Sequence, residues 1–275
     1  MGNKNKIGVM QGRLLPKFKG KYQAHPLGYW ENEFQIAADL KLDCIEFILD
    51  FDDFEKNPLM SSVGIEKIQQ ITKLTGVKVS TICADYFMDA PLHSKNKKIS
   101  ENSLGILKLL LNNAKILGVS DVIIPCVDQS SLKQTDNLKC FVDKILPVIP
   151  VAERLGVNIC LETDLPPDKF YNLIEKLSSN TITVNYDIGN SASLGFDIKE
   201  ELQAYGDRIS DVHIKDRELH GAPVFLGKGN ANFPLVFQLL KEINYKGPYV
   251  MQAFRDDEGL MVFQKQFNWI KKYLY

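Results

Sequence analysis

No stretch of this 275-residue sequence approaches the roughly 20 consecutive apolar residues that a membrane-spanning helix needs, so a bilayer span is not expected. The opening segment, Met1 to Lys6, is polar and runs straight into a short apolar stretch, without the hydrophobic core of a secretory leader. A cytoplasmic protein is the expectation. Neither sign of charge is in excess. The 33 Lys and Arg stand against 34 Asp and Glu, which leaves no global field to concentrate nucleic acid or an anionic surface. Cysteine is sparse: Cys44, Cys83, Cys126, Cys140 and Cys160 are odd in number, widely spaced and mostly set in apolar runs, which points to buried free thiols in a reducing compartment. No glycine-rich dinucleotide or P-loop fingerprint follows the first apolar run, Met10-Gln11-Gly12-Arg13 not being one. Linkers, low-complexity stretches and shifts of composition are missing too, so residues 1–275 read as one domain.

What is present is an alternation. With 45% hydrophobic and 24% charged residues the chain can bury a sizeable core. Eight short runs rich in β-branched residues are separated by longer amphipathic segments: Ile7 to Met10, Cys44 to Ile48, Val79 to Ala84, Asp121 to Cys126, Asn158 to Glu162, Ile182 to Asp187, Ile209 to Ile214 and Tyr249 to Ala253. Between them apolar residues fall at helical spacing, as in Ile65, Ile68, Ile71 and Leu74. Gly76, Gly118 and Gly156 each stand where a helix would stop before the next strand. Eight such units, in a length close to the roughly 250 residues typical of the architecture, predict a closed (β/α)₈ TIM barrel.

In such a barrel the site forms at the C-terminal ends of the strands, so polar residues that end apolar runs are the informative ones. Glu162, Asp187, His213 and Gln252 do so on the last four runs, which are neighbours around a barrel although distant in sequence. Two carboxylates, an imidazole and an amide oxygen suit one divalent ion such as Mn²⁺, Mg²⁺, Co²⁺ or Zn²⁺. Lys215, Arg217 and Arg255 are suited to a phosphate or a developing oxyanion, or to surface ion pairs. Tyr22, Trp30, Tyr86 and Phe87 fit either an apolar wall for a sugar or packed loop anchors. His25, His93 and His220 are lone loop histidines without an assigned role.

The segments Leu161-Glu162-Thr163, Tyr186-Asp187-Ile188-Gly189-Asn190, His213-Ile214-Lys215-Asp216-Arg217 and Leu226-Gly227-Lys228-Gly229-Asn230 resemble the sugar phosphate isomerase/epimerase family of xylose isomerase-like barrels. Met10-Gln11-Gly12-Arg13-Leu14 and Cys83-Ala84-Asp85-Tyr86 fit the expected strand ends, so the likeness spans nearly the whole chain. The resemblance implies one divalent metal held by Glu162, Asp187 and His213, with proton transfer at a sugar or sugar phosphate through an enediolate. It also implies a strand-eight glutamate, where this chain has Gln252, and often a histidine where it has Asn190. An amide can ligate through oxygen but is no general base, so Glu162 is left as the evident base. Glu46 and Asp85, on the second and third strands, are the candidates for a second one, and Asn190 is suited to a sugar hydroxyl.

The leading expectation is therefore a metal-dependent sugar isomerase or epimerase. The same scaffold could dehydrate a polyol ketone, or bind a sugar without turnover, given the losses at Gln252 and Asn190. Cleavage of abasic DNA, known from relatives with three metals, fits poorly with four histidines and a balanced charge. Barrels of this kind frequently pair, which makes a homodimer an expectation as well.

Overall fold

The computed structural model describes residues 5–256 and 259–274. Most of the polar opening Met1 to Lys6 thus lies outside the described residues, as do parts of the 1–275 span read as one domain. Eight strands, β1 Ile7–Met10, β2 Cys44–Ile48, β3 Lys78–Cys83, β4 Asp121–Cys126, β5 Asn158–Thr163, β6 Ile182–Asp187, β7 Ile209–Ile214 and β8 Tyr249–Met251, pair in parallel in chain order, and β8 closes on β1. Every connection carries at least one helix, as right-handed crossovers between parallel strands require. The apolar runs coincide with these strands to within a residue or two. The largest difference is at β8, whose ladder stops at Met251, so that Gln252 follows the strand instead of lying within it.

Side chains alternate across each strand, and this period of two divides the core. Val9, Ile45, Phe47, Val122, Ile124, Ile159, Leu161, Val184, Val212 and Ile214 pack outward under the helices in the main hydrophobic cluster. Met10, Ile48, Cys83, Ile123, Cys160 and Val250 form a separate cluster inside the barrel. Neither β6 nor β7 contributes to that inner cluster. Their buried positions in the opposite phase, apart from Ile209 at the start of β7, are Thr183, Asn185, Asp187, Asp211 and His213, so this side of the barrel interior is polar. Burial of this kind is tolerated only where the groups are paired or serve a ligand.

Gly76, Gly118 and Gly156 do end helices in the left-handed conformation, which a side chain would oppose. All five cysteines are free, and only Cys140 is partly exposed. No helix among the described residues is long and apolar enough to cross a membrane.

Candidate metal centre

Closure of the sheet brings the ends of β5 to β8 to one side of the barrel mouth. Glu162 is the fifth residue of β5, Asp187 ends β6, His213 is the fifth residue of β7 and Gln252 follows β8, held by its N–H to the Ile214 carbonyl at 3.1 Å. All four are buried. Asp187 starts the helix Ile188–Leu194, and its Oδ1 caps that helix by accepting the Asn190 N–H at 2.8 Å. Its Oδ2 lies 3.2 Å from Lys215 Nζ and 4.0 Å from His213 Nδ1.

The two nitrogens of His213 face different surroundings. Nε2 is 2.7 Å from Glu46 Oε1 and 3.9 Å from Asp211 Oδ1, and Thr81 donates its hydroxyl to the other Glu46 oxygen at 2.6 Å. Glu46, Asp211 and His213 bring ligand-type atoms within 4.8 Å of one another and form a possible metal-binding triad. Nδ1, in contrast, is buried without a hydrogen-bond partner, and so is Gln252 Oε1. Two ligands about 2.1 Å from a common ion can stand up to about 4.2 Å apart, which the 4.0 Å separation of Nδ1 and Asp187 Oδ2 satisfies. On the Nε2 side Glu46 Oε1 is taken up by the imidazole, while Asp211 Oδ2 is buried without a hydrogen-bond partner. A Glu–His bond on the far nitrogen is the usual way a protein orients a metal-binding imidazole.

The carboxylates around His213 favour a positive charge at its position. Burial alone would lower the His213 pKa, but the charge and hydrogen bond of Glu46, with Asp211 and Glu162 behind it, push it up to about 10. Burial, and then the negative charge of Asp187, push Glu162 up to about 7. Acceptor-rich groups crowded out of water in this way are stabilised by a positive ion among them. The donor set fits a divalent metal.

The surrounding residues are less free than the sequence suggested. Asn190, expected at a sugar hydroxyl, lines the cavity, gives Nδ2–H to Glu162 Oε1 at 2.6 Å and accepts from Arg217 at 2.9 Å. Arg217 also donates twice to the Gly221 carbonyl, and Lys215 is paired with Asp187, so both are committed to partners within the site and its loop. Arg255 does not line the cavity. It clamps a loop by donating to the Arg13 carbonyl at 2.8 Å, and it lies over the Tyr22 ring. Glu46 is fully buried, bonded to His213, and is not among the residues that wall the cavity over this centre. Asp85 accepts from Gln23 at 3.0 Å and from the Cys83 thiol at 3.2 Å, and burial, the largest influence, raises its pKa.

A cavity of about 350 Å³ lies over this centre, walled by Glu162, Gln252, Gln23, Asp85, Asn190, Lys215 and Arg217 among others. Its apolar lining is Met88, Pro125, Val127 and Leu194. Of the aromatics that fitted either a sugar wall or packed anchors, none lines this cavity, and Trp30, Tyr86 and Phe87 are buried anchors, Trp30 packing on His25 and Phe47. His220 does reach the cavity wall from its exposed loop. Gln23 went unnoticed in the sequence, having no pattern around it, yet it joins Gln252 (2.8 Å) to Asp85. Asp216 was visible only as part of a motif. It accepts the N–H groups of Gly227, Gly229 and Ala231, and a Cβ on Gly229 would lie 2.3 Å from its Oδ1, which explains the glycine in that loop.

Comparison with known proteins adds an independent line. The family described as xylose isomerase-like TIM barrel matches residues 34–273. The chain is 24% identical to L-ribulose-5-phosphate 3-epimerase UlaE of Salmonella heidelberg, over 88% of this chain and 89% of that one. Among solved structures, 3-keto-D-glucoside 4-epimerase YcjR of E. coli superposes with a TM-score of 0.76 at 18% identity, over 98% of this chain and 100% of that one. D-psicose 3-epimerase in the presence of D-fructose does so with a TM-score of 0.75 at 15% identity, over 98% and 99%.

Proposed function

The chain belongs to the xylose isomerase-like TIM barrel family, and from that membership we propose that it is a divalent-metal-dependent epimerase of a ketose or ketose phosphate, with Glu162 as base. The observation that supports the metal is a pair of buried acceptor atoms without a hydrogen-bond partner, His213 Nδ1 and Gln252 Oε1, the first of them 4.0 Å from Asp187 Oδ2. Glu162, Asp187, His213 and Gln252 would hold the ion. The relatives that match over most of the chain are sugar epimerases, which favours epimerisation over the dehydratase and silent-binder readings.

When bound, a divalent ion would act as a Lewis acid toward the sugar's carbonyl and neighbouring hydroxyl oxygens. Glu162, buried and facing the cavity, takes the proton from the carbon beside the carbonyl. Asn190 fixes that carboxylate, and Arg217 fixes Asn190 in turn. Lys215 sets positive charge beside Asp187 at the same wall. Glu46, bonded at Nε2, fixes the His213 ring with Nδ1 on the Asp187 side.

The reading is tested by incubating the protein with Mn²⁺ and a panel of ketoses and ketose phosphates in deuterated water. Deuterium should enter one carbon of one sugar and an epimer should accumulate. Chelation should stop both, and Glu162→Gln should slow the wild-type rate by about 10²- to 10⁴-fold while still binding Mn²⁺. Turnover that survives thorough metal removal would sink the metal-dependent mechanism.

A further inference from the structure

Inverting a carbon centre requires a proton to leave one face and another to arrive on the opposite face, and Gln252 cannot supply the second. Four carboxylates line the cavity: Asp85, Asp128, Glu162 and Asp164. Asp164 is paired with Lys133 at 3.1 Å and accepts from Ser131, and Asp128 sits exposed on a short 3₁₀ turn. Asp85 differs from both. It is half-buried, and the groups bonded to it are a neutral amide and a thiol.

Its placement is also fixed. Gln252 donates to Gln23 at 2.8 Å and Gln23 donates to Asp85 at 3.0 Å, so the amide standing in the glutamate's place is tied across the mouth to this carboxyl. Asp85 follows β3 whereas Glu162 is on β5, so the two approach the cavity from different sectors of the barrel. Asp85 further lies on a wall shared with a second cavity, which Gln23 and Met88 also line and which reaches solvent past exposed Lys19, Lys21 and Asp52. A proton can therefore reach it while a sugar fills the first cavity.

We propose that Asp85 is the second acid–base residue of the epimerisation, acting on the sugar face opposite Glu162. The proposal rests on the epimerase reading above. Glu162 takes the proton, the C–H electron pair becomes the C=C bond of the enediolate, and the carbonyl π pair moves to oxygen. Asp85, as the carboxylic acid, then gives its proton to the other face. The C=C pair forms the new C–H bond, the carbonyl re-forms, and Asp85 is left as carboxylate with Glu162 protonated. Glu162 then loses its proton to solvent, and Asp85 regains one through the second cavity.

The test uses the Mn²⁺-loaded protein and both epimers of the sugar that the wild type interconverts, in deuterated water. In Asp85→Asn, epimer formation should fall by about 10²- to 10⁴-fold. Deuterium should still enter the epimer whose proton faces Glu162, at a rate within about threefold of wild type, and should not enter the other. Glu162→Gln should show the reverse pattern. Asp85→Glu, which keeps a carboxyl, should recover part of the epimerisation. Near-wild-type epimerisation in Asp85→Asn overturns the assignment, as does loss of exchange from both epimers with no recovery in Asp85→Glu. If the wild type exchanges no sugar of the panel, it is the epimerase reading itself that fails.

Discussion

At the scale of single residues, the two nitrogens of His213 differ. Nε2 is bonded to Glu46 and Nδ1 is buried without a hydrogen-bond partner. Glu46→Gln should keep the shape of that contact but lose its charge. Mn²⁺ affinity, read by titration calorimetry, is expected to fall by about 10- to 100-fold. Gln252→Glu should act in the opposite direction, replacing a neutral amide by an anionic ligand. Mn²⁺ should bind at least about tenfold tighter, a gain of roughly 1.4 kcal/mol, while the metal-free protein melts lower because a further carboxylate joins Glu162 and Asp187. The four residues at the ends of β5 to β8 were legible because a polar residue terminating an apolar run stands out. Gln23 was not, because a loop amide follows no period, and that Arg255 turns to the Arg13 carbonyl was not legible either, because sequence proximity to Gln252 says nothing of which way a side chain leaves the strand.

At the scale of elements, the helix Ile188–Leu194 and the end of β7 are pressed together behind the site. Gly189 makes this contact possible, since a Cβ there would stand 2.7 Å from Lys215 Cγ and 2.9 Å from the Lys215 carbonyl carbon. Gly189→Ala should therefore push the helix off β7, disturbing both the Asp187 cap and the Lys215 pairing. The expected loss is about 1–3 kcal/mol of stability, measured by urea denaturation, with weaker Mn²⁺ binding. The strands, the crossovers and the glycine helix ends were readable in advance because each follows a local period or a backbone rule. The loop that Asp216 organises was readable only as a recurring motif, since its three N–H partners come from 11 to 15 residues further along.

At the scale of the whole molecule, acid sensitivity follows from burial away from the candidate metal centre. His25 packs against Trp30 and Phe47, and burial pushes its pKa down to about 3. Its folded value lies below the ordinary 6.5, so the unfolded chain binds more protons between these values. The stability contributed by His25 is complete above pH 6.5 and is lost as pH falls toward 3, at a slope approaching about 1.4 kcal/mol per pH unit. His93 is shifted in the same direction by burial. His25→Asn keeps a donor toward Gln11 Oε1, and denaturation across this range should show a shallower acid limb than wild type, even if the variant is less stable at neutral pH. An unchanged slope would show that His25 is not buried as a neutral ring.

The sequence by itself determined the barrel and the polar ends of its last four strands, because hydrophobic period, turn glycines and strand-terminal polarity are properties of neighbouring residues. The tertiary structure alone decided which nitrogen of His213 is bonded to Glu46, that Asn190 and Arg217 are spent on holding Glu162, and that Asp85 shares a cavity with it. Those facts depend on closure of the sheet, which sets side chains from strands up to 167 residues apart within hydrogen-bonding distance, as in the contact of Glu46 with His213. No local pattern carries that information.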